Sequence, residues 1–321
     1  MSGKIGVVGA TGAVGRIFVA TLLHYISPEN LVLFASHRSA GKSIEISGVC
    51  LPVYDVAKTD FAGFSLVFFS AGALVSKQYA NKAVEAGAWV IDNSSGFREN
   101  MPLIVPEINM SDISSRGIIA NPNCVVVPLT LTLNALKSFG LVFTNVVTFQ
   151  SVSGSGQGGI NALSNPGVDE FYNAPIAGNI IPVIDTVTEN GFTSEEMKIS
   201  FETNKVLHTN INVTATTVRV PVLRGHSAAV YLKSARPWDL DEVRYLFSEQ
   251  ESLSYIVDET ITPLTHVDSC PGVTVSRLRL DYNDPCGLLF WLVSDNLMKG
   301  AALNSIQIAQ ALDLIGAESY V

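Results

Sequence analysis

A cysteine in the middle of the chain has the sequence setting of a reactive thiol. Cys124 ends the tetrapeptide Asn-Pro-Asn-Cys, which follows a short apolar run, 117–120, and precedes a longer one, 125–139, with helical spacing. A strand that turns into a helix places the thiol at a helix N-terminus, where the helix dipole stabilises a thiolate. A lone cysteine among apolar residues is more often a small core residue. This stretch alone therefore favours a structural role.

A histidine farther along the chain is a candidate acid or base. His226 follows Arg219 by seven residues, across the turn Leu-Arg-Gly-His-Ser that separates two β-rich segments. An isolated histidine usually has a structural role. The chain contains only five histidines, however, so few side chains can exchange a proton near neutral pH. His226 remains a candidate on that ground.

Three glycines near the N-terminus have the setting of a dinucleotide-binding turn. Gly9, Gly12 and Gly15 follow a β-rich run, 4–8, and precede an amphipathic stretch, 16–25. In a Rossmann unit such glycines let the backbone approach a pyrophosphate at a helix N-terminus. The spacing is GxxGxxG rather than GxGxxG, and three glycines can also form a simple tight turn. Their position between a strand and a helix favours cofactor binding.

The end of the next predicted strand, 31–35, distinguishes the two nicotinamide cofactors. An NAD site usually has an acidic residue there, which binds the ribose 2′-hydroxyl. This chain instead has Ser-His-Arg-Ser-Ala-Gly-Lys at 36–42. Two cations and two hydroxyls suit a 2′-phosphate, so the sequence predicts NADP rather than NAD. A solvated basic loop is the alternative for this segment.

The first third of the chain alternates strands and helices. Strands are predicted at 66–69 and 89–91, each followed by small and polar residues, with a helix at 75–86 between them. This alternation predicts a parallel, doubly wound sheet with ligands at the carboxyl ends of its strands. Arg98 follows one of these ends, where an anion would bind, although an arginine in a loop is more often only a surface residue.

The rest of the chain predicts a different arrangement. Strand 141–152 carries Gln150 and runs into a glycine-rich loop, 153–159, which is either a flexible linker or a segment that approaches a ligand. Residues 160–194 have no assigned structure. Further elements are expected as helices at 195–207 and 239–249, strands at 211–222, 228–234, 273–281 and 288–293 in an antiparallel-looking sheet, and a final helix ending near 314.

Composition excludes several classes of protein. The 321 residues are 47% hydrophobic and 15% charged, with a net charge of −9, which argues against nucleic-acid and anionic-membrane partners. No apolar run reaches the length of a membrane span. The four cysteines form no CxxC pair and no cluster with histidine, so a metal site is not expected and a reduced, cytoplasmic protein is. The four are Cys50, Cys124, Cys270 and Cys286.

Nine segments, in order along nearly the whole chain, carry a resemblance to a known family. They are GATGAVGR (9–16), ASHRSAGKS (35–43), SAG (70–72), DNSSGFRENMPLIVPEIN (92–109), NPNC (121–124), FQSVSGSGQGG (149–159), EEMK (195–198), TTVRVPVLRGHS (216–227) and SDNLMKGAALNSIQIA (294–309). With these segments the chain resembles the aspartate-β-semialdehyde dehydrogenase family. Several segments are long and specific. The N-acetyl-glutamyl-phosphate reductases share the first glycine turn and a nucleophilic cysteine, but they are less similar around Arg219 and His226.

The resemblance implies a role for each candidate residue. Cys124 matches the nucleophile that forms an acyl-enzyme, His226 the acid–base residue, and Gln150 a residue that orients the acyl group. The implied substrate-binding residues are Asn123, Arg219 for the α-carboxylate, Glu195 for the amino group, and Arg98 with Lys198 for phosphate. The implied cofactor-binding residues are Gly9, Thr11, Gly12, Ala13, Val14, Gly15, Ser36, Arg38, Ser39, Ser70, Gly72, Ser153, Gly154 and Asn296.

The reaction implied by the resemblance is the NADPH-dependent reduction of L-4-aspartyl phosphate to L-aspartate 4-semialdehyde, with release of phosphate. This step belongs to the biosynthesis of lysine or diaminopimelate, threonine and methionine. A thiolate suits it, because a thioester accepts hydride more readily than a carboxylate does. Backbone N–H groups at the start of the Cys124 helix are expected to hold the oxyanion. The resemblance also implies a homodimer or homotetramer.

The expected fold is α/β, with an N-terminal Rossmann-like, doubly wound sheet and an α+β domain for catalysis and dimerisation. The NADP-binding domain is expected at 1–123, with a C-terminal helix at 297–321 packing back on it, and the second domain at 124–296. Two alternatives for the function remain. One is a related acyl-phosphate reductase, which the set Glu195, Lys198 and Arg219 opposes. The other is a non-catalytic NADP-binding homologue, which the retained cysteine and histidine oppose.

Overall fold

The computed structural model describes residues 3–165, 171–257, 259–268 and 271–316. Cys270 and the end of the predicted C-terminal segment, 317–321, lie outside the described residues. The chain divides into two compact units. Unit 1 ends at Pro122 and resumes at Ala301, and unit 2 is Asn123–Gly300. The functional domain boundaries remain a prediction.

Strands and helices alternate through unit 1 and are more irregularly distributed in unit 2. The strands are β1 (Lys4–Val8), β2 (Leu31–Ala35), β3 (Ser43–Ile46), β4 (Val49–Asp55), β5 (Phe64–Phe69), β6 (Trp89–Asp92), β7 (Ile118–Ala120), β8 (Leu141–Gln150), β9 (Asn212–Arg219), β10 (His226–Ser234), β11 (Leu253–Tyr255), β12 (Val273–Leu280) and β13 (Gly287–Ser294). The α-helices are α1 (Ala13–Leu22), α2 (Ala73–Glu85), α3 (Pro106–Asn109), α4 (Val126–Ala135), α5 (Gly156–Ser164), α6 (Ser194–Leu207), α7 (Leu240–Glu249), α8 (Pro263–His266) and α9 (Leu303–Ala311).

The sheet of unit 1 has the strand order β3-β4-β2-β1-β5-β6-β7 and is parallel except for the edge pair β3–β4. Its strands other than the edge pair β3 and β4 are mostly buried on both faces, as their near-continuous apolar sequences require. Successive residues of one strand enter opposite cores: Val7 packs on the side of Phe18 from α1, and Val8 on the side of Ala80 from α2. The prediction of a Rossmann-like, doubly wound sheet is confirmed.

The sheet of unit 2 has the strand order β11-β12-β13-β10-β8-β9. The predicted antiparallel sheet is right for the pairs β8–β10, β10–β13 and β12–β13, and wrong for β8–β9, which is parallel. The strand β11, which the sequence did not predict, pairs in parallel with β12. A parallel pair requires a crossover connection. Between β8 and β9 the chain passes through α6, which packs against β9.

The glycine-rich segment after β8 is not the loop that the sequence predicts. Val152–Ser155 forms a 3-10 turn, and α5 begins at Gly156. A Cβ at Gly158 would collide with the ring of Phe171, and one at Gly159 with the hydroxyl of Tyr172. These glycines therefore allow close packing of a helix rather than flexibility.

The predicted final helix is divided in two. Met298–Ala302 is a π-helical turn, which α9 follows directly. Ile306 and Ala309 of α9 belong to the unit 1 core that also contains Phe18. Wide turns of this kind are uncommon and recur at functional sites. Within the described part of the chain, no helix combines the length and apolarity that a bilayer crossing needs.

Candidate active site

Asn123 organises the turn that carries Cys124. Its Oδ1 accepts a hydrogen bond from the Val125 N–H at 2.8 Å, and its carbonyl oxygen accepts from the N–H groups of Val126 and Val127 at 2.9 and 3.2 Å. Asparagine commonly caps helices in this way. The N–H groups of Val125, Val126 and Val127 thus already donate to Asn123, and the expectation that N–H groups at the helix start hold an oxyanion stays a prediction.

The helix behind Cys124 is enclosed on every side. All residues from Val126 to Leu133 are buried. The hydroxyls of Thr130 and Thr132 donate to carbonyl oxygens of the preceding turn, at 2.8 and 2.7 Å, so the helix presents no unsatisfied polar side chain there. A helix that is apolar all round is a core helix. The nucleophile candidate thus extends from the rigid interior of unit 2.

Two buried glutamates of α6 fix Asn123 from behind. Glu202 accepts a hydrogen bond from the Asn123 N–H at 2.7 Å, and Glu195 accepts one from Asn123 Nδ2 at 2.9 Å. Seven residues correspond to about two helical turns, so both carboxylates lie on one face of α6. Thr193 begins the helix in a capping box, in which its hydroxyl accepts from the Glu196 N–H and the Glu196 carboxylate accepts from the Thr193 N–H.

Cys124 and His226 come together in unit 2 although 102 residues separate them. Cys124 Sγ lies 3.3 Å from His226 Nε2, within hydrogen-bond distance for sulfur. The cysteine is half-buried, and the histidine, at the start of β10, is only 2% exposed. A thiol and an imidazole in contact have the geometry of an activated nucleophile.

The second ring nitrogen of His226 is also occupied. The Ser151 N–H donates to Nδ1 at 3.0 Å, and the Ser151 hydroxyl lies 3.1 Å from the same atom. Burial, followed by the positive charge of Arg219, lowers the pKa of His226 to about 3, while the main chain of Gly225 acts in the opposite direction. The ring is therefore neutral near pH 7.

Arg219 is held at one end of its guanidinium and unsatisfied at the other. It ends β9, is 4% exposed, and donates from Nη1 to the Ser151 carbonyl oxygen at 2.7 Å. Among the described residues its Nε has no hydrogen-bond partner. The Arg219 main chain pairs with Ile181, part of the segment that the sequence leaves unassigned. A buried guanidinium with an open N–H suits an anionic group of a ligand.

The remaining predicted substrate residues converge on Glu195. Gln150 Nε2 donates to its carboxylate and to the Thr148 hydroxyl, both at 3.3 Å. Lys198 Nζ lies 3.4 Å from the same carboxylate and 2.5 Å from Asp185. Burial acts to lower the pKa of Lys198, but the charges of Glu195 and Asp185 raise it overall. Lys198 is thus a fixed cation.

Three predicted cofactor residues lie beside this cluster in unit 2. Asn296 is 2% exposed, and its Oδ1 accepts from the hydroxyls of Ser151 and Ser153 at 3.2 and 3.3 Å. Gly154 is exposed, and a Cβ there would lie 3.3 Å from the ring of His226. A side chain at this position would therefore press against the imidazole edge.

In unit 1 the predicted glycine turn has the shape that a dinucleotide requires. The Gly9 N–H donates to the Phe34 carbonyl oxygen at 2.8 Å, and Gly12 precedes α1 without a side-chain cap. A Cβ at Gly9 would collide with the Ser70 main chain, and one at Gly15 with the Gly9 carbonyl. Thr11, Ala13 and Val14 belong to the same turn and the start of α1. A tight backbone and an uncapped helix N-terminus fit a pyrophosphate.

The predicted ribose-phosphate residues form a turn after β2. The Ser39 N–H donates to the Ser36 carbonyl oxygen at 2.9 Å, and both Ser36 and Arg38 are exposed. Gly72, exposed before α2, has a φ of 85° that favours glycine. The guanidinium of Arg38 and the hydroxyl of Ser36 are therefore exposed to solvent, as a phosphate-binding role requires.

Arg98 is fixed at the carboxyl edge of the unit 1 sheet. It is 9% exposed and donates to the carbonyl oxygens of Asn121 and Asn93 at 3.0 and 3.1 Å, beyond the ends of β7 and β6. Asn304 of α9 in turn donates to Asn121 Oδ1 at 2.7 Å. The other predicted phosphate-binding residue, Lys198, belongs to unit 2.

Comparison with known proteins accounts for this combination of sites. Residues 4–116 match the profile described as semialdehyde dehydrogenase, NAD binding domain, and residues 133–299 match semialdehyde dehydrogenase, dimerisation domain. An aspartate-semialdehyde dehydrogenase of Legionella pneumophila is 41% identical over 331 residues, covering 96% of this chain and 95% of that protein. The chain belongs to the aspartate-semialdehyde dehydrogenase family.

Solved structures of this family have the same fold. Aspartate semialdehyde dehydrogenase II from Vibrio cholerae superposes with a TM-score of 0.91 at 35% identity, covering 98% of this chain and 99% of that one. A second structure of the Vibrio enzyme, complexed with ASA, matches equally well, with a TM-score of 0.91 at 35% identity and 98% coverage of both chains. No group of three or more potential metal ligands occurs among the described residues of this family member.

The sequence did not single out three residues next to the candidate nucleophile of this family member. Ser151 contacts His226 mainly through its backbone, Glu202 binds the backbone of Asn123, and Gly300 packs against Cys124. Backbone contacts carry no signal in residue type. Glu202 had a detectable signal, because a carboxylate seven residues after Glu195 lies on the same helix face.

Proposed function

We propose that this chain catalyses the NADPH-dependent reduction of L-4-aspartyl phosphate to L-aspartate 4-semialdehyde with release of phosphate. It also catalyses the reverse reaction, the phosphate-dependent oxidation of the semialdehyde. The observation that carries the proposal is the contact of Cys124 Sγ with His226 Nε2 at 3.3 Å, together with a buried Arg219 whose Nε has no partner among the described residues. The family membership and the Vibrio structure complexed with ASA support this substrate.

In the proposed reaction, the thiolate of Cys124 attacks the acyl carbon of aspartyl phosphate. A carbon–sulfur bond forms, the carbon–oxygen bond to phosphate breaks, and the product is a thioester on Cys124. A bound nicotinamide cofactor supplies the hydride that reduces this thioester. Reduction leaves a tetrahedral oxyanion on the same carbon, which His226 stabilises by donating a hydrogen bond. The oxyanion then collapses to the aldehyde, the carbon–sulfur bond breaks, and Cys124 leaves as a thiolate.

Substrate recognition is assigned to the cluster around Glu195. The Arg219 guanidinium binds the α-carboxylate through its open side, because a planar guanidinium matches a carboxylate. Glu195 binds the α-amino group, and its contacts with Asn123 and Gln150 orient both amides toward the same substrate. Arg98 and Lys198 bind the phosphate that leaves or, in the reverse reaction, attacks.

The preferred cofactor in this proposal is NADP. The glycine turn at Gly9, Gly12 and Gly15 fits a dinucleotide of either kind. The preference follows from the turn after β2, where Arg38 with Ser36 and Ser39 replaces the acidic residue of a typical NAD site. Thr11, Ala13, Val14, Ser70, Gly72, Ser153, Gly154 and Asn296 complete the proposed cofactor site.

The proposal includes a homodimer or homotetramer, a cytoplasmic location and a role in making lysine or diaminopimelate, threonine and methionine. The match of 133–299 to a dimerisation domain supports self-association. Among the described residues, Cys50, Cys124 and Cys286 are in no disulfide, which supports a reducing compartment.

The decisive experiment is the reverse reaction with purified protein. L-aspartate semialdehyde, NADP and inorganic phosphate should give NADPH, and omission of phosphate should abolish the signal. Replacing NADP by NAD should lower kcat/KM by at least about tenfold, the effect of losing one charge-assisted contact. An NAD preference would contradict the cofactor assignment alone. Activity with a different aldehyde would favour a related acyl-phosphate reductase. No activity in a folded protein that still binds NADP would favour a non-catalytic homologue.

A further inference from the structure

The hydrogen bonds around His226 define which of its nitrogens carries the proton. An amide N–H can only donate, so the bond from the Ser151 N–H makes Nδ1 an acceptor. A neutral imidazole with an unprotonated Nδ1 carries its proton on Nε2. That nitrogen faces Cys124 Sγ at 3.3 Å. The ring therefore offers the sulfur a proton and not a lone pair.

The side chain of Ser151 joins this arrangement to a second anchor. Its hydroxyl lies 3.1 Å from His226 Nδ1 and 3.2 Å from Asn296 Oδ1, and it is fully buried. Asn296 Oδ1 also accepts from the Gly225 N–H at 2.8 Å, directly before the histidine. The carbonyl oxygen of Ser151 receives Nη1 of Arg219. Ser151 thus contacts both the His226 imidazole, the proposed acid–base group, and the Arg219 guanidinium, the proposed carboxylate-binding group.

We propose that Ser151 is a positioning residue that fixes His226 as the neutral tautomer with its proton on Nε2, so that His226 enters the reaction as a hydrogen-bond donor. This inference rests on the proposed function and refines it. A donor at Nε2 stabilises a Cys124 thiolate and, later, the oxyanion of a tetrahedral intermediate. The Nε2–H donor takes the place of the N–H groups of Val125 and Val126, which already donate to Asn123.

The charged surroundings of the ring agree with this assignment. The charged or titratable groups that face the imidazole are the Arg219 guanidinium, from β9, and the Cys124 thiol, from the turn before α4. A second proton on the ring would place an N–H of His226 against the N–H of Ser151 and a positive charge near Arg219. Both effects disfavour the imidazolium. When the half-buried Cys124 thiol ionises, its proton therefore leaves to solvent and not to His226.

The test uses ¹⁵N NMR of the full-length protein labelled in its histidine ring nitrogens, without substrate. His226→Gln identifies the His226 signals by their loss. We expect a protonated Nε2 and an unprotonated Nδ1 from about pH 5 to about pH 8. A proton on Nδ1, or on both nitrogens as in a thiolate–imidazolium pair, would overturn the proposal. Because no turnover is needed, this outcome is independent of whether the proposed reaction is correct.

A pair of serine variants tests the hydroxyl. Ser151→Ala keeps the backbone N–H and removes the link to Asn296, and we expect kcat to fall about tenfold with KM within about twofold. Ser276→Ala is the matched control: Ser276 is also buried, in β12, and its hydroxyl has no partner among the described residues. It should keep the wild-type kcat. Equal kcat in Ser151→Ala and Ser276→Ala, or a change confined to KM, would refute a positioning role for the hydroxyl, while the NMR measurement tests the backbone N–H that Ser151→Ala keeps.

Discussion

The contact between Cys124 and His226 depends on atoms that lie behind them. Asn123 fixes the cysteine turn through three N–H groups, and Ser151 fixes the imidazole through its own N–H. Each reactive side chain is thus oriented by a neighbour in the sequence or across the sheet. At the scale of the residue, the reactivity of Cys124 and His226 depends on which of the surrounding N–H groups and ring nitrogens already take part in hydrogen bonds.

Removing the thiol tests the central assignment. In Cys124→Ala no thioester can form, so turnover should fall below detection while NADPH binding stays within about twofold of wild type. Steady-state assays and cofactor fluorescence measure the two quantities. Cys50→Ala, at an exposed position of β4, is the matched control and should remain active. Residual turnover in Cys124→Ala near the wild-type rate would exclude this cysteine as the nucleophile.

The reactive residues were within reach of the sequence, but their orientation was not. Cys124 has a local signal, a strand followed by a helix, and the resemblance identifies His226 and Arg219. Ser151 has no such signal, because its N–H and C=O groups are common to nearly every residue. Only the fold shows that Nδ1 of His226 lies 3.0 Å from that N–H.

At the scale of the element, the wide turn Met298–Ala302 supports the nucleophile. Gly300 lies within this turn, and a Cβ there would come 2.9 Å from both the Cβ and the carbonyl oxygen of Cys124. Real side chains do not approach so closely, so either the turn or the cysteine must shift. A regular helix has no reason to need glycine here. Contact with Cys124 explains it.

Gly300→Ala should therefore displace Cys124. We expect kcat to fall by about a hundredfold, since a misplacement near 1 Å at the reacting atom has effects of this size, with a smaller loss of stability. Initial rates and thermal unfolding measure the two effects. Gly117→Ala, where a Cβ meets nothing within 4 Å, controls for the substitution itself. Wild-type kcat in Gly300→Ala would show that the turn adapts without moving the thiol.

Most elements of the fold could be predicted because their signals are local. The bounds of β1 and β2 agree with the predicted 4–8 and 31–35. The hairpin β3–β4 was missed, although Ser47-Gly48 marks its turn, because β3 has only four residues and β4 contains a proline, which is unusual within a strand. Gly158 and Gly159 led to the wrong prediction of a loop, because their contacts with Phe171 and Tyr172 are visible only in the fold.

At the scale of the molecule, one buried neutral histidine affects the acid stability of the whole fold. In the folded state the pKa of His226 is about 3, against an ordinary value of 6.5. Between these values the unfolded chain binds a proton that the folded chain does not, so the free energy of unfolding must decrease as the pH falls through this range. Above about pH 6.5 the contribution is constant.

His226→Gln should reduce this acid sensitivity. Relative to wild type, the variant should gain roughly 1 kcal/mol in the free energy of unfolding for each pH unit between about pH 6.5 and about pH 4.5. Urea unfolding at a series of pH values measures the difference. His24→Gln makes the same change at an exposed position. Parallel curves for wild type and His226→Gln would mean that the folded state accepts the charged ring.

The burial of α4 determines how long the Cys124 thiol keeps its position in the folded protein. The helix that follows Cys124 has no solvent-facing side, so it cannot detach without exposing the interior of unit 2. Its amide hydrogens should accordingly exchange with solvent only through the global opening reaction, more slowly than those of an amphipathic surface helix. Partial loosening of α4 is therefore not expected as a separate event. The geometry of the thiol persists as long as unit 2 stays folded and is lost in the same step.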